Sequence, residues 1–204
     1  MNLATGNLAP RTEQSKPRTG PFLSLGVNME GRRCLVVGGG RIGERKISSL
    51  FQSGAEVIVV SPRVSDEVRR LASAGEIDWR KQPYHPDDLT NVFLVVAATS
   101  DADLNTTIGR AARRRGILVC VVSSSEDSDV LFPAVLQEPH ADLTVAVHSH
   151  GRDCRRSKRV RDALRQWFFT HECRSERVPK DDDPVVDPNK KTSADSLTSN
   201  EVSQ

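Results

Sequence analysis

The sequence lacks the features that mark membrane-spanning, secreted and disulfide-stabilised proteins. Its longest apolar run, Val92 to Ala98, has seven residues, whereas a membrane helix needs roughly 20. The N-terminus has no basic stretch followed by an apolar one, as a signal peptide would. Only four cysteines occur in 204 residues, and they form neither a CxxC pair nor a zinc-like spacing. These absences predict a cytoplasmic protein with reduced thiols and no membrane segment.

Aromatic side chains make up only 4% of the sequence, and both ends of the chain are polar. Residues 1–20 and 174–204 cannot bury enough apolar surface to offset the entropy of ordering them, so we expect disordered tails. The residues between these tails suffice for one ordinary domain with a small appendage. The net charge of +2 indicates little about partners. Because no aromatic residues alternate with the basic ones, a nucleic-acid partner is not expected.

Short apolar runs alternate with segments of helical period over residues 21–122. The runs are apolar throughout, as in strands that are covered on both faces; they are Cys34–Val37, Val57–Val60, Val92–Ala98 and Ile117–Val122. The second run is expected to end at Ser61-Pro62, with a helix starting near Val64, and Asp101 is placed to cap the next helix. This order predicts an α/β fold with a Rossmann-like, doubly wound parallel sheet.

The pattern changes after Val122, where residues 123–173 form a second region. A polar loop leads to the apolar run Val130–Leu136, and a short turn around Pro139 and Ala141 precedes Leu143–Val147. Two strands with so short a link can pair only antiparallel. Apolar residues at helical spacing follow between Val160 and Phe168. We therefore expect a small α+β region after the sheet.

The first apolar run ends in a GxGxxG sequence, with glycines at Gly38, Gly40 and Gly43. Glycines at these positions permit a tight turn and let the backbone approach a pyrophosphate, which the N-terminus of the next helix then holds. The pattern alone is common, but here a buried strand precedes it and an amphipathic helix follows. The context predicts a dinucleotide-binding loop.

The end of the second run bears on the choice of coenzyme. An acid there would bind the ribose hydroxyls of NAD, but this chain has Ser61, followed by Pro62 and Arg63. Ser61 can bond a hydroxyl, and Arg63 can meet a 2′-phosphate. The choice between NAD and NADP is therefore open on physical grounds.

Two further groups of residues carry candidate chemistry. His148 and His150 flank Ser149 at the end of an apolar run, where an imidazole can take a proton or ligate a metal, although no third ligand is evident and an exposed loop pair explains them equally well. Seven basic residues lie between positions 152 and 165, and Arg110 with residues 113–115 adds a second basic cluster. They suit an anionic substrate, or else form solvated helix faces.

Taken together, these blocks resemble the precorrin-2 dehydrogenase/sirohydrochlorin ferrochelatase family, the N-terminal module of siroheme synthase. The resemblance covers about residues 21–165 and is carried by Gly38 to Lys46, Val60-Ser61-Pro62, Ala97 to Asp101 with Asn105, Val119 to Val122, Phe132-Pro133-Ala134 and Val145 to Ser149. It implies a homodimer that oxidises precorrin-2 to sirohydrochlorin by passing hydride to NAD⁺, and in some members inserts Fe²⁺ to give siroheme.

The resemblance also implies roles for particular residues. Arg41, Ile42, Pro62 and Arg63 would contact the dinucleotide, and Thr99 would lie near the nicotinamide. Ser149 would border the tetrapyrrole. Because precorrin-2 carries eight carboxylates, the basic residues after that loop fit it; the candidate substrate-binding residues are Ser149, Gly151, Arg152 and Arg155.

Three departures from the family pattern narrow the interpretation. Ser123 stands where the family has an aspartate implicated in both reactions, so either Glu126, Asp127 or Asp129 substitutes, or catalysis relies on positioning and the cofactor. Where the family has a Ser-Ser-Gly-Gly block, this chain has His148-Ser149-His150-Gly151. It also has less helix after this block than the family has. Ser123, Ser149 and His148 remain the catalytic candidates. The hypothesis is a dehydrogenase rather than a full siroheme synthase; the alternatives are a non-catalytic dinucleotide-binding regulatory module and a chelatase without dehydrogenase activity.

Overall fold

The computed structural model describes residues 22–138 and 143–171, and the predicted tails at 1–20 and 174–204 lie outside them. The elements of the described chain are β1 (Arg33–Gly39), α1 (Arg41–Gln52), β2 (Glu56–Val64), α2 (Asp66–Ser73), β3 (Asp78–Arg80), a 3-10 helix (Pro86–Leu89), β4 (Leu94–Ala97), α3 (Ala102–Arg114), β5 (Leu118–Val121), β6 (Ala134–Glu138), β7 (Leu143–Val147) and α4 (Cys154–His171). The chain divides into two compact units, residues 1–165 and 166–204. The sheet, the hairpin and most of α4 belong to the first.

The first unit is built on a parallel five-stranded sheet in the order β3-β2-β1-β4-β5. The chain runs outward from β1 to β3 and then crosses back to β4 on the other side of β1. β1 therefore pairs with β2 and β4, Val36 lying opposite Val59 and Val96. The predicted doubly wound sheet is confirmed, and the strand order reverses between β1 and β4, where such folds bind ligands.

Both faces of the sheet are covered by helices. On one face Val36 and Val59 pack with Ile47 and Leu50 of α1. On the other face Leu35, Val95 and Val119 pack with Ile108 of α3 and neighbouring residues. Successive side chains of one strand point to opposite faces, so a strand buried on both sides must be apolar at every position. This arrangement explains the continuous apolar runs in the sequence.

The prediction that β2 ends at Ser61-Pro62 was wrong, because the strand continues to Val64. Proline is tolerated in the strand because β3 pairs only as far as Val60, so no neighbour on that side needs an N–H from Pro62. The expected helix start near Val64 moves accordingly. α2 begins at Asp66, and the Ser65 hydroxyl accepts a hydrogen bond from its first turn.

The polar segment after β5 folds back along that strand. Ser128 is fully buried, and its hydroxyl lies within hydrogen-bond distance of the N–H and carbonyl of Val121 and the carbonyl of Ser124. The N–H of Val130 donates to Val119. These bonds satisfy backbone groups on the free edge of β5. Val130 and Phe132 pack against the core of the sheet. The strand expected from Val130 therefore starts four residues later, at Ala134.

β6 and β7 pair antiparallel, with Leu136 opposite Val145, as their short link predicts. The expected turn around Pro139 and Ala141 lies outside the described residues. The predicted final helix is α4. Of the helices in the described part of the chain, none has the length and apolarity needed to cross a bilayer.

The two cysteines that lie in apolar runs are core residues, as those runs predict. Cys34 and Cys120 are buried in strands and Cys154 is exposed, all three as free thiols. Burial raises the pKa of the Cys34 thiol to about 11 and also raises the pKa of Cys120. Buried thiols of this kind stay protonated and unreactive at neutral pH.

Candidate functional site

The glycine loop lies at the carboxyl end of β1 and packs directly on the end of β4. Gly38 has a φ of +105°, a conformation that favours glycine. A Cβ at this position would overlap the carbonyl of Ala98 and lie 2.9 Å from the backbone nitrogen of Thr99. The first glycine is therefore required by the close approach of two backbones at the switch point.

The other two glycines of the motif differ in their surroundings. A Cβ on Gly43 would overlap the carbonyl oxygen of Gly38, whereas a Cβ on Gly40 would meet nothing within 4 Å. Gly43 thus lets the first turn of α1 pack against the carbonyl of Gly38, whereas Gly40 faces open space at the start of α1. Within the described residues, no side chain caps this helix. The first N–H groups of α1 and its dipole are accordingly available to an anion.

Ser61, predicted to contact the ribose, is turned into the fold. It is 8% exposed, and its hydroxyl accepts from the N–H of Gly39 across 3.2 Å and donates to the carbonyl of Arg63 across 2.6 Å. It thereby supports the irregular pairing of β1 with β2 beside the glycine loop. Pro62 and Arg63 are exposed at the same edge. The ribose contact and the coenzyme preference stay predictions.

Thr99 follows β4 and is held by a residue to which the sequence analysis assigned no role. The amide oxygen of Asn105 accepts from the Thr99 N–H at 3.0 Å and lies 2.8 Å from its hydroxyl. The amide nitrogen of Asn105 donates to the Thr99 carbonyl at 3.1 Å. Asn105 is 1% exposed. A polar residue within the apolar face of the predicted helix was the available signal, since a buried amide is almost always fully hydrogen-bonded.

Ser123 lies just beyond β5 and is exposed. Two of the three acids considered as substitutes for a carboxylate there, Asp127 and Asp129, lie beside Arg113 of α3. The guanidinium of Arg113 lies 3.5 Å from a carboxylate oxygen of Asp129 and 3.9 Å from one of Asp127. Arg113 is in the last turn of α3, the end of that helix away from Thr99. Asp127 and Asp129 are thus engaged by Arg113, and Glu126, which is exposed, stays the candidate for a substitute acid.

The loop after β7 reaches the same edge of the sheet. His150 and Gly151 both have positive φ angles, of 53° and 76°, and a Cβ on Gly151 would lie 2.5 Å from Cβ of Ser125. The Ser149 hydroxyl accepts from the N–H of Asp153 at 3.1 Å, just before α4. The structure thus brings the predicted substrate loop against the turn that follows β5.

His148 and His150 are both half-buried, and His150 lies in the turn after β7. Burial lowers the pKa of His148, and the nearby His150 adds to this effect. His148 is therefore neutral at pH 7 and able to accept a proton. No group of three or more His, Cys, Asp or Glu side chains in the described residues is arranged to hold a metal ion.

The two basic clusters have different surroundings. Arg152 and Arg155 are exposed next to the loop, where they are free to meet an anionic substrate. Arg113 pairs with acids, and Arg115 donates to the carbonyl of Pro86 at 2.7 Å. Two arginines of the second cluster are therefore already engaged by other groups of the protein.

Lys46 of α1 was not singled out as a site residue. Its ammonium lies 4.0 Å from the ring centroid of Phe132, in the chain between β5 and β6. Burial is the main cause that lowers the pKa of Lys46. The contact joins the helix after the glycine loop to the segment that leads into the hairpin.

Residues 25–134 match the family model described as "Putative NAD(P)-binding". Siroheme synthase 1 of Pectobacterium atrosepticum is 37% identical over 131 residues, which are 64% of this chain and 27% of that protein. The siroheme synthase of Pseudomonas aeruginosa (strain LESB58) is 37% identical over 147 residues, 72% of this chain and 31% of that protein. The chain thus spans about a third or less of the curated relatives it matches.

Among solved structures, SirC, precorrin-2 dehydrogenase, matches with a TM-score of 0.63 and 30% identity, covering 71% of this chain and 70% of that chain. The match extends over both the fold and most of the length of each chain. The resemblance noted from the sequence blocks is confirmed.

Proposed function

Because the chain belongs to the NAD(P)-binding family that includes precorrin-2 dehydrogenase, we propose that it oxidises precorrin-2 to sirohydrochlorin in siroheme biosynthesis. The observation that carries the proposal is the glycine loop at the switch point, with Gly38 packed on Ala98 and Gly40 open to a ligand. The reaction removes two hydrogens from the tetrapyrrole, one as hydride and one as a proton.

The residues present fit a nicotinamide dinucleotide. The space at Gly40 and the uncapped start of α1 suit the pyrophosphate, with Arg41 and Ile42 exposed beside it. Pro62 and Arg63 lie at the ribose side, and Thr99 at the crevice. When bound, NAD⁺ would supply the hydride acceptor. NAD⁺ is the proposed coenzyme, and Arg63 is the residue through which NADP would be accepted instead.

The substrate would lie between the glycine loop and the loop after β7. Arg152 and Arg155 bind carboxylates of precorrin-2, and Ser149 and Gly151 shape the loop that receives it. Ser123 provides a hydroxyl rather than a carboxylate at the end of β5. His148, kept neutral by burial, is the group able to accept the released proton.

The test combines the purified chain, precorrin-2 generated in situ and NAD⁺, with NADH and sirohydrochlorin followed by absorbance. Stoichiometric NADH and sirohydrochlorin are expected. Absence of NADH would overturn the dehydrogenase proposal, and retained NAD⁺ binding without turnover would instead support the regulatory module. Ser123→Asp is the companion variant: a sharp rise in rate would mean that the native site is weakened by the missing carboxylate.

Two additions to the assay test the wider proposal. Fe²⁺ added to preformed sirohydrochlorin tests chelation, for which the neutral imidazole of His148 is the supporting feature. Sedimentation tests the proposed homodimer. A two-stranded hairpin is marginal alone, and Val135 and Leu143 of this one are 38% and 42% exposed. A second copy would cover them, and we place the assembled enzyme in the cytoplasm.

A further inference from the structure

The ring of His150 is held by the backbone at the start of the described chain. The N–H of Phe22 donates to Nδ1 of His150 across 3.0 Å, joining positions 128 apart in sequence. A backbone amide only donates, so Nδ1 must carry a lone pair and accept. In the neutral imidazole the single ring proton is therefore on Nε2.

This tautomer bears on what the ring can bind. A protonated Nε2 has no free lone pair for a metal, and the lone pair of Nδ1 is already used by Phe22. In this arrangement His150 is a hydrogen-bond donor and not an iron ligand. Across residues 22–138 and 143–171, no hydrogen-bond partner of Nε2 is present, so its N–H is available to a ligand.

The loop that carries His150 lies at the carboxyl edge of the sheet. The φ of His150 is +53°, and the next residue packs against Ser125 at the carboxyl edge of the sheet. Arg152, two residues on, is exposed. An imidazole N–H and a guanidinium in one loop suit a carboxylate, which can accept from both.

We propose that His150 binds a carboxylate of the tetrapyrrole through its Nε2–H, and that the Phe22 N–H is the positioning group that sets the tautomer. The inference rests on the proposed function for the identity of the ligand. It involves a hydrogen bond only and no covalent step.

Two variants separate the donor from its positioning group. His150→Asn tolerates the left-handed backbone and keeps an oxygen acceptor near the Phe22 N–H, but it removes the Nε2–H. Phe22→Pro keeps the imidazole and removes the N–H that holds it. Ser24→Pro is the matched control, since Ser24 is exposed in the same segment before β1 and its N–H has no partner among the described residues.

The variants are compared in the precorrin-2 assay and by titration with uroporphyrin III, an octacarboxylate that needs no coenzyme. Loss of a hydrogen bond to a charged group weakens binding by about 10- to 100-fold. We expect His150→Asn to raise the KM for precorrin-2 and the Kd for uroporphyrin III by that factor, with kcat within about twofold. Phe22→Pro should have the same effect to a smaller degree, and Ser24→Pro none.

Long-range ¹H–¹⁵N NMR of the imidazole gives a readout that does not depend on activity. The wild type should show His150 with its proton on Nε2, and Phe22→Pro a mixture of tautomers. A wild-type proton on Nδ1, loss of that proton on addition of Zn²⁺, or unchanged KM and Kd in His150→Asn would overturn the inference. If the wild type makes no NADH but His150→Asn still weakens the binding of uroporphyrin III, the proposed function fails. The proposal that His150 donates to a carboxylate then still stands.

Discussion

The glycine loop and the loop after β7 both lie at the carboxyl edge of the sheet but are held in different ways. Gly38 and Gly43 are locked by backbone atoms within a buried core. His150 and Ser149 are held by single hydrogen bonds at a half-exposed surface. The first loop therefore couples ligand binding to stability, whereas the second can change its ligand contacts at little cost to the fold.

The largest effects are expected inside the glycine loop, where two substitutions separate packing from ligand contact. Gly43→Ala forces a Cβ into the Gly38 carbonyl, so we expect a loss of about 3 kcal/mol in the free energy of unfolding and of nearly all NAD⁺ binding. Gly40→Ala has open space and should keep its stability while binding NAD⁺ about tenfold more weakly. Urea unfolding and NAD⁺ titration measure both, with Gly26→Ala as the control. Equal losses of stability in Gly43→Ala and Gly40→Ala would contradict this separation of packing from ligand contact.

The serines after β5 offer a second contrast, between burial and exposure. Ser128→Ala leaves the backbone groups of Val121 and Ser124 without their partner, which should cost about 1–3 kcal/mol in the free energy of unfolding. Ser123→Ala, on the exposed surface, should change it by less than about 0.5 kcal/mol. Urea denaturation of both variants is the measurement. A Ser128→Ala protein as stable as the wild type would show that the segment does not protect the edge of β5.

Charge reversal tests whether the second loop acts on the ligand rather than on the fold. Arg152→Glu should raise the KM for precorrin-2 by about tenfold, because a repulsion replaces a charge-assisted bond, with the Tm unchanged. Arg159→Glu reverses an exposed charge further along α4 and should have a much smaller effect. Steady-state kinetics at fixed ionic strength distinguish the two. An unchanged KM in Arg152→Glu would remove this residue from the substrate site.

The smallest effect concerns Lys46, which lies between the two regions. Its pKa is lowered in the folded protein, so folding disfavours its charged form, and this penalty applies at neutral pH. The penalty disappears as pH rises through the folded pKa towards the ordinary value for lysine. Lys46→Met should therefore be slightly more stable than the wild type at pH 7, and the difference should shrink by pH 10. A difference that grows with pH, measured by urea unfolding, would contradict this sign.

Sequence patterns were reliable where one local rule dominates. Continuous apolar runs such as Val57–Val60 identified strands buried on both faces, and Asp101 capped α3 as its position predicted. They failed where a distant partner decides the outcome. β2 runs past Pro62 because β3 pairs only as far as Val60. For Asn105 the signal was its place on the apolar face of α3, but its partner Thr99 is known only from the structure.

The sequence by itself determined the glycine loop, the order of strands and helices, and the family. Each depends on residues that are near one another in the chain, or on a backbone geometry that only glycine permits. Tertiary structure alone decided that the buried Ser61 hydrogen-bonds the glycine loop. It also decided that Asp127 and Asp129 pair with Arg113, and that the N–H of Phe22 donates to His150. These are single contacts between segments far apart in sequence, and their existence depends on how the folded elements pack against one another.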